Sequence, residues 1–300
     1  MTIRPRRSVL YMPGSNLRAL EKARTVPADA LILDLEDSVA PEAKSIARDQ
    51  VVAAVRAGGF ADREIIIRVN ALSSPWGEAD LAAAASAGPD GILIPKIGTA
   101  AHMTEIGTQL DQLGAPNHTA VWAMMETPAA FLHAGAIAAT RHEAAGRRLS
   151  CLVLGTNDLA KETRARLVPG RQPMLTALSL AVLAARAHSL DVIDGVCNEL
   201  EDLEALRAEC RQGLELGMDG KTLIHPKQIE IANAVFSPTP AEIAWATKIL
   251  AAFNLPENES KGVISLEGKM VERLHADMAA RTVAIADAIA ARQAAQTHMS

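Results

Sequence analysis

Short apolar runs recur along the chain, each closed by polar residues or by Gly and Pro. Each is followed by a longer stretch in which apolar residues return every three or four positions. Eight runs stand out: Ser8–Met12, Ala30–Leu35, Glu64–Val69, Gly91–Pro95, Ala120–Met125, Leu149–Leu154, Asp191–Gly195 and Lys221–Ile224. A short apolar run bounded by turn residues reads as a buried strand, and the intervening stretches carry a helical period. Those stretches are Asn16–Arg24, Pro41–Arg56, Gly77–Ser86, Ala100–Leu113, Pro128–Arg141, Met174–His188, Glu199–Leu216 and Pro226–Val235. Strand and helix alternating eight times predict an α/β protein built as a (β/α)8 TIM barrel over residues 1–236.

Ser237-Pro-Thr-Pro240 then punctuates the chain. Beyond it, residues 237–300 predict a helix at Ala241–Phe253 with Thr239 as N-cap, an exposed loop at Asn254–Gly262, and a tail that starts strand-like and ends as an Ala-rich amphipathic helix. This helical extension is surplus to a barrel. It either packs against the barrel or a neighbouring subunit, or acts as a lid.

Barrels fill their strands with apolar side chains and carry their chemistry on the loops at the strand carboxyl ends. The eight ends here are Pro13-Gly14-Ser-Asn, Asp34-Leu-Glu36-Asp37, Arg68-Val-Asn70, Pro95-Lys96, Glu126-Thr127-Pro128, Gly155-Thr156-Asn157-Asp158, Asp194-Gly195 and His225-Pro226. Singly, each has a plain structural reading. Glu126 and Asp158 suit helix starts, Asp37 suits a cap, and Arg68 suits an ion pair with Glu36 or Asp37. His225 is either a base or part of a strand-to-helix turn, and Lys96 forms either a Schiff base or a charge pair. Together they converge on one mouth. Several carboxylates without a Cys/His cluster favour a hard cation, and Mg²⁺ typically takes one or two carboxylates plus water and a chelating substrate. Arg68 in the same mouth would offset an anionic substrate or a developing enolate.

Composition narrows the rest. Across 300 residues the net charge is −5, and hydrophobic residues make up 49% but aromatics only 3%, which argues against base stacking and hence against nucleic acid as a partner. Cys151, Cys197 and Cys210 are scattered and odd in number, as expected of reduced core thiols in a cytoplasmic protein. The basic start, with Arg4, Arg6 and Arg7, is followed by no signal-type apolar segment, and no run approaches the roughly 18 residues of a membrane span. That start reads as a solvated terminus or a phosphate contact. No nucleophile elbow, Walker loop or dinucleotide-binding glycine motif is present.

The motifs Arg7-Ser-Val-Leu-Tyr-Met-Pro-Gly, Leu33-Asp-Leu-Glu-Asp-Ser-Val, Ile67-Arg-Val-Asn, Ile94-Pro-Lys, Met125-Glu-Thr, Leu154-Gly-Thr-Asn-Asp-Leu and Gly217-Met-Asp-Gly-Lys-Thr-Leu-Ile-His-Pro occur in this order. Together they resemble the citrate lyase β-subunit-like proteins, which include malyl-CoA and citramalyl-CoA lyases within the HpcH/HpaI aldolase group. The resemblance runs from about Arg7 to about Ile289. It implies that Glu126 and Asp158 ligate Mg²⁺, with Mn²⁺ as an alternative, and that Arg68 stabilises the enolate oxygen of an acyl-CoA thioester. It also implies that the Gly155, Thr156, Asn157 and Asp158 backbone holds an α-keto acid carboxylate, with Glu36 and Asp37 positioning Arg68 or metal-bound water. Pro13, Gly14, Lys221, His225 and Pro226 fall in segments resembling the CoA and substrate rim.

The family's carbon acid is an Asp in a tail motif supplied by a neighbouring subunit. Here Gly268-Lys-Met-Val-Glu272 places Glu there, followed by Arg273-Leu-His275 in place of the usual Pro. The resemblance implies a homo-oligomer, trimer or hexamer. The implied activity is reversible Mg²⁺-dependent cleavage of a malyl-CoA- or citramalyl-CoA-type thioester to acetyl-CoA and glyoxylate or pyruvate. The alternatives are the citrate lyase β subunit, acting with an acyl-carrier partner, and malyl-CoA hydrolysis. A metal-binding scaffold is the non-enzymatic alternative.

Overall fold

The computed structural model describes residues 3–297, with side chains through residue 294; the outermost residues of the two expected segments lie outside the described residues. Eight parallel strands, β1 (Ser8–Pro13), β2 (Ala30–Asp34), β3 (Glu64–Arg68), β4 (Gly91–Ile94), β5 (Ala120–Met125), β6 (Leu149–Leu154), β7 (Asp191–Asp194) and β8 (Gly220–Leu223), form a closed barrel in sequence order. Closure comes from β8 returning to β1, with Ser8 opposite Lys221 and Leu10 opposite Leu223.

The strands are buried on both faces. Val9, Ile32, Ile66, Leu93, Trp122, Val153 and Ile193 fill the interior, while their neighbours Leu10, Leu31, Ile67, Ile92, Leu152 and Val192 join the core shared with the helices. Two-sided burial is why the sequence shows continuous apolar runs rather than alternation. At the amino-terminal end of the barrel, Arg6 donates from Nε and Nη2 to Glu64 at 2.7 Å each, pairs with Asp191, and lies 4.9 Å from the Trp122 ring centroid. Arg7 is likewise buried, forked onto Asp29 at 2.8 and 2.9 Å. Neither is the solvated or phosphate-binding arm that the basic start suggested.

The outer helices are α1 (Leu17–Ala23), α2 (Lys44–Ala57), α3 (Gly77–Ala87), α4 (Ala100–Gln112), α5 (Pro128–Leu132), α6 (Ala134–Ala139), α7 (Thr156–Thr163), α8 (Leu175–Ala187), α9 (Leu203–Leu216) and α10 (Ile229–Val235). Asn16, Thr99, Thr127 and Asp202 accept backbone N–H bonds as N-caps of α1, α4, α5 and α9. Two stretches depart from expectation. The segment 128–141 breaks at His133 into α5 and α6, and α9 starts at Leu203 rather than Glu199, where Asp202 supplies the cap. An extra short helix, α7, follows β6 directly and stops where Arg164 turns left-handed at φ 58°. Cys151, Cys197 and Cys210 are all buried and free.

The chain divides into two compact units, the barrel Arg6–Phe236 and a second unit of residues 3–5 and 237–297. In the second, α11 (Pro240–Phe253) opens with a capping box between Thr239 and Glu242. A hairpin follows, β9 (Val263–Leu266) and β10 (Lys269–Glu272), whose turn residues Glu267 and Gly268 both have positive φ, as a tight hairpin turn requires. The last element is α12 (Arg273–Thr297). Ile249, Phe253, Ile264, Val271 and Ala279 give this unit its own core. No helix among the described residues is long and apolar enough to cross a membrane.

Candidate active site

Side chains alternate along a strand, so the residue two places beyond an interior residue also faces inward. Val9 is followed by Tyr11, Ile32 by Asp34, Ile66 by Arg68, Met124 by Glu126, and Val153 by Gly155. The top layer of the barrel interior is therefore polar. Of these, Tyr11, Asp34, Arg68 and Gly155 line a cavity of about 310 Å³ at the strand carboxyl ends, together with Thr156 and Asp158 among others.

Arg68 sits opposite Asp34 in the β2–β3 register and is 5% exposed. Its Nε and Nη2 fork onto the two Asp34 oxygens at 2.7 and 2.8 Å, while Nη1 lies 2.9 Å from both Glu36 and Asp37. Asp34 also accepts N–H bonds from Glu36 and Ser38, which leaves its oxygens fully engaged. Burial pushes the Asp34 carboxyl up, but the Arg68 guanidinium outweighs it and holds Asp34 below the usual carboxylate range. Glu36 differs. Burial pushes it up to about 8 against the pull of Arg68, with Asp37 adding to the rise.

Across the mouth, Glu126 and Asp158 share one positive charge. The Lys96 ammonium lies 2.7 Å from Asp158 Oδ1 and 3.3 Å from Glu126 Oε1, and the Lys96 backbone N–H donates to the same Glu126 oxygen at 2.8 Å. Lys96 holds this place from a left-handed backbone, φ 56°, which costs a non-glycine residue about 1 kcal/mol or more. Burial raises the pKa of Glu126, partly countered by Lys96 and added to by Asp158. Gly155 makes the seat for Glu126. A Cβ there would collide with Glu126 Cβ and lie 2.9 Å from Glu126 Oε2.

The remaining sequence candidates are dispersed. Thr156 and Asn157 begin α7 and line the cavity, and Asn157 exchanges reciprocal amide bonds with Asn198 at 2.8 and 3.1 Å. Gly14 is pinned under β2, its N–H donating to Asp34 O at 2.9 Å, with no room for a Cβ. His225 caps the turn after β8, its Nδ1 accepting from Lys227 N–H at 3.1 Å, with Pro226 next in that turn. Lys221 is not in the mouth. It faces the helix layer, fully buried, 3.0 Å from Asp194 and 2.9 Å from Glu209, so its side chain does not reach the rim where the sequence placed it.

A model of the HpcH/HpaI aldolase/citrate lyase family matches residues 7–226. The chain belongs to that family. It is 50% identical to a (3S)-malyl-CoA thioesterase of Cereibacter sphaeroides over 97% of this chain and 98% of that protein. It is 35% identical to the citrate lyase subunit beta of Escherichia coli over 90% and 89%. Among solved structures, protein CitE from Mycobacterium tuberculosis in complex with magnesium, acetoacetate and coenzyme A is 28% identical with a TM-score of 0.73, over 93% of this chain and 97% of that one.

Within the HpcH/HpaI aldolase/citrate lyase barrel, the donor set accommodates a hard divalent ion. No group of three or more His, Cys, Asp or Glu is placed to hold a metal among the described residues, but two carboxylates already arranged around one cation suffice for an ion that keeps waters and substrate oxygens. Asp34 and Tyr11 are cavity-lining residues that the sequence did not single out. Asp34 stands in a run of three acids, and only strand register shows which one faces inward. Glu272, the candidate acid of the tail, ends β10 in the second unit, where its N–H donates to His275 Nδ1 at 2.9 Å.

Proposed function

We propose that this protein is a divalent-metal-dependent enzyme that hydrolyses a malyl-CoA-type thioester to the free hydroxydicarboxylic acid and CoA. The observation that carries it is the Glu126–Asp158 pair gathered around one positive charge, facing an Arg68 whose own charge is offset by Asp34 and Asp37. The likeness to (3S)-malyl-CoA thioesterases over nearly the whole chain supports hydrolysis as the outcome. Glu126 and Asp158 would hold Mg²⁺ or Mn²⁺, which would supply Lewis-acid polarisation of bound substrate oxygens.

The α7 amino terminus, with Thr156 and Asn157, receives the substrate's carboxylate on backbone N–H groups, the Gly155 N–H being spent on the Met125 carbonyl at 2.9 Å. Arg68 faces the thioester carbonyl oxygen. As water adds to the carbonyl carbon, Arg68 offsets the charge gathering on that oxygen; the C–S bond then breaks and the thiolate departs with the electron pair and takes up the proton that water lost. Oriented charge of this kind is typically worth a few kcal/mol. Glu272 from a neighbouring subunit of a homo-oligomer serves as the proton carrier, and Pro13, Gly14, His225 and Pro226 form the rim toward CoA.

A second reading keeps the site and changes the bond. The citrate lyase β subunits support C–C cleavage to acetyl-CoA and an α-keto acid, with charge developing on the same thioester oxygen. Product analysis separates the two. Purified protein with Mg²⁺ and malyl- or citramalyl-CoA is followed for free CoA, hydroxy acid, acetyl-CoA and keto acid, and again after chelation. Free CoA and malate without glyoxylate support hydrolysis; acetyl-CoA with keto acid supports cleavage; turnover that survives chelation, or none on any such thioester, refutes the proposal.

A further inference from the structure

Tyr11 carries an unexplained hydroxyl. It lies on the interior face of β1, opposite Ile32, lines the main cavity, and holds its ring 4.8 Å from the Arg68 guanidinium carbon. The hydroxyl oxygen is buried and makes no hydrogen bond with any described residue. Arg68, Asp34, Glu126 and Glu36 are the charged groups around it. Burying a hydroxyl without a partner is unfavourable, and a phenyl ring would fill the same interior space without that cost.

None of its charged neighbours accepts a hydrogen bond from it in this arrangement. Both Asp34 oxygens are occupied by Arg68 and by the Glu36 and Ser38 N–H groups, and Glu126 Oε1 is held by Lys96. Arg68 places four short contacts on carboxylate oxygens, which leaves one of its five N–H groups. Two donors thus remain at this edge of the cavity, the last Arg68 N–H and the Tyr11 O–H. Burial pushes the Tyr11 hydroxyl above its ordinary range, so it stays protonated as a donor.

We propose that the Tyr11 hydroxyl is a catalytic hydrogen-bond donor that joins Arg68 on the thioester carbonyl oxygen. The inference rests on the acyl-CoA reading above, but not on which bond breaks. In hydrolysis that oxygen becomes the oxyanion of the tetrahedral adduct, and in C–C cleavage it becomes the enolate oxygen. In both cases charge collects where Arg68 alone has one N–H left. A neutral O–H adds a second hydrogen bond there without bringing in another buried charge.

The test is Tyr11→Phe, which keeps the ring and removes only the hydroxyl. Wild-type turnover of a malyl-CoA-type thioester is measured first; if it is absent, the acyl-CoA reading fails and this inference with it. Given wild-type turnover, Tyr11→Phe is expected to lower kcat about 10²-fold, the usual effect of losing one oxyanion donor, with KM within about threefold. Thermal unfolding should be at or above wild type, as removing an unpartnered buried hydroxyl requires, and calorimetric binding of a CoA thioether analogue, which lacks the carbonyl oxygen, should match wild type. A kcat within tenfold of wild type overturns the proposal while leaving the acyl-CoA reading standing. So does thioether binding weakened as much as turnover, which would make Tyr11 a packing residue.

Discussion

Replacing Gly155 with Ala tests the metal seat by adding a single methyl. The backbone at Gly155, φ −101° and ψ 76°, lies at negative φ, so an alanine meets no left-handed penalty there and the effect is steric. The new Cβ would strike Glu126 Cβ, sit 2.9 Å from Glu126 Oε2, and touch Met124 Cε at 3.3 Å. The first of these is anchored one bond from the β5–α5 backbone and cannot swing aside as a side-chain end would. Relief requires the β5 and β6 backbones to move apart, carrying the Glu126 carboxylate with them, and overpacking of this kind costs about 1–3 kcal/mol. For a barrel of this size that is a melting-point drop of about 3–10 °C. The displaced carboxylate should weaken Mn²⁺ binding about 10- to 100-fold, the range seen when groups that orient a metal ligand are lost. Calorimetry or Mn²⁺ paramagnetic resonance measures the affinity, and a melt in chelator measures the stability. In a Glu126→Gly background, which removes the Cβ that would be struck, Gly155→Ala should cost much less stability than in wild type, a non-additivity that a double-mutant cycle reads directly. Wild-type Mn²⁺ affinity and melting point in Gly155→Ala would refute the seat.

Other perturbations separate scaffold from site. Lys221→Met leaves Asp194 to Arg171 alone and Glu209 without its cation, and should cost about 3–5 kcal/mol in urea unfolding while Mn²⁺ affinity stays unchanged. Glu36, with its folded pKa near 8 against an ordinary 4.5, binds a proton in the native state that the unfolded chain releases. Its contribution is therefore complete below about 4.5 and is lost as pH rises toward 8, by at most about 5 kcal/mol, and Glu36→Gln should flatten that part of the stability–pH curve. Mixing inactive Glu126→Ala with inactive Glu272→Ala should restore turnover in mixed oligomers if Glu272 works across a subunit boundary; no recovery in verified mixed oligomers would place it elsewhere.

The fold was largely legible because a barrel strand, buried on both faces, has to be apolar throughout, while the chain needs Gly, Pro or a capping residue to leave it. Charged residues are excluded from such strands, so Arg68, Glu126 and Asp158 at strand ends already stood out as site candidates. What misled was orientation within a segment. Lys221 lies in the same segment as His225, but strand alternation turns its ammonium toward α9 and the helix layer rather than the mouth. Tyr11 escaped notice because an aromatic residue in an apolar strand reads as core, and nothing local marks a hydroxyl without a partner. The end of α7 at Arg164 was hidden because a left-handed residue other than Gly carries no sequence signal.

The sequence by itself determined the alternation of strands and helices, the punctuation at Ser237–Pro240 and the residue types at each strand end, since these follow from local burial and backbone preference. The tertiary structure alone decided which of Asp34, Glu36 and Asp37 forks Arg68, that Lys96 bridges Glu126 and Asp158, and that Gly155 is the space Glu126 occupies. Each depends on the register between neighbouring strands and on distances between residues far apart in the chain, and one residue of slip would turn every one of those side chains to the opposite face.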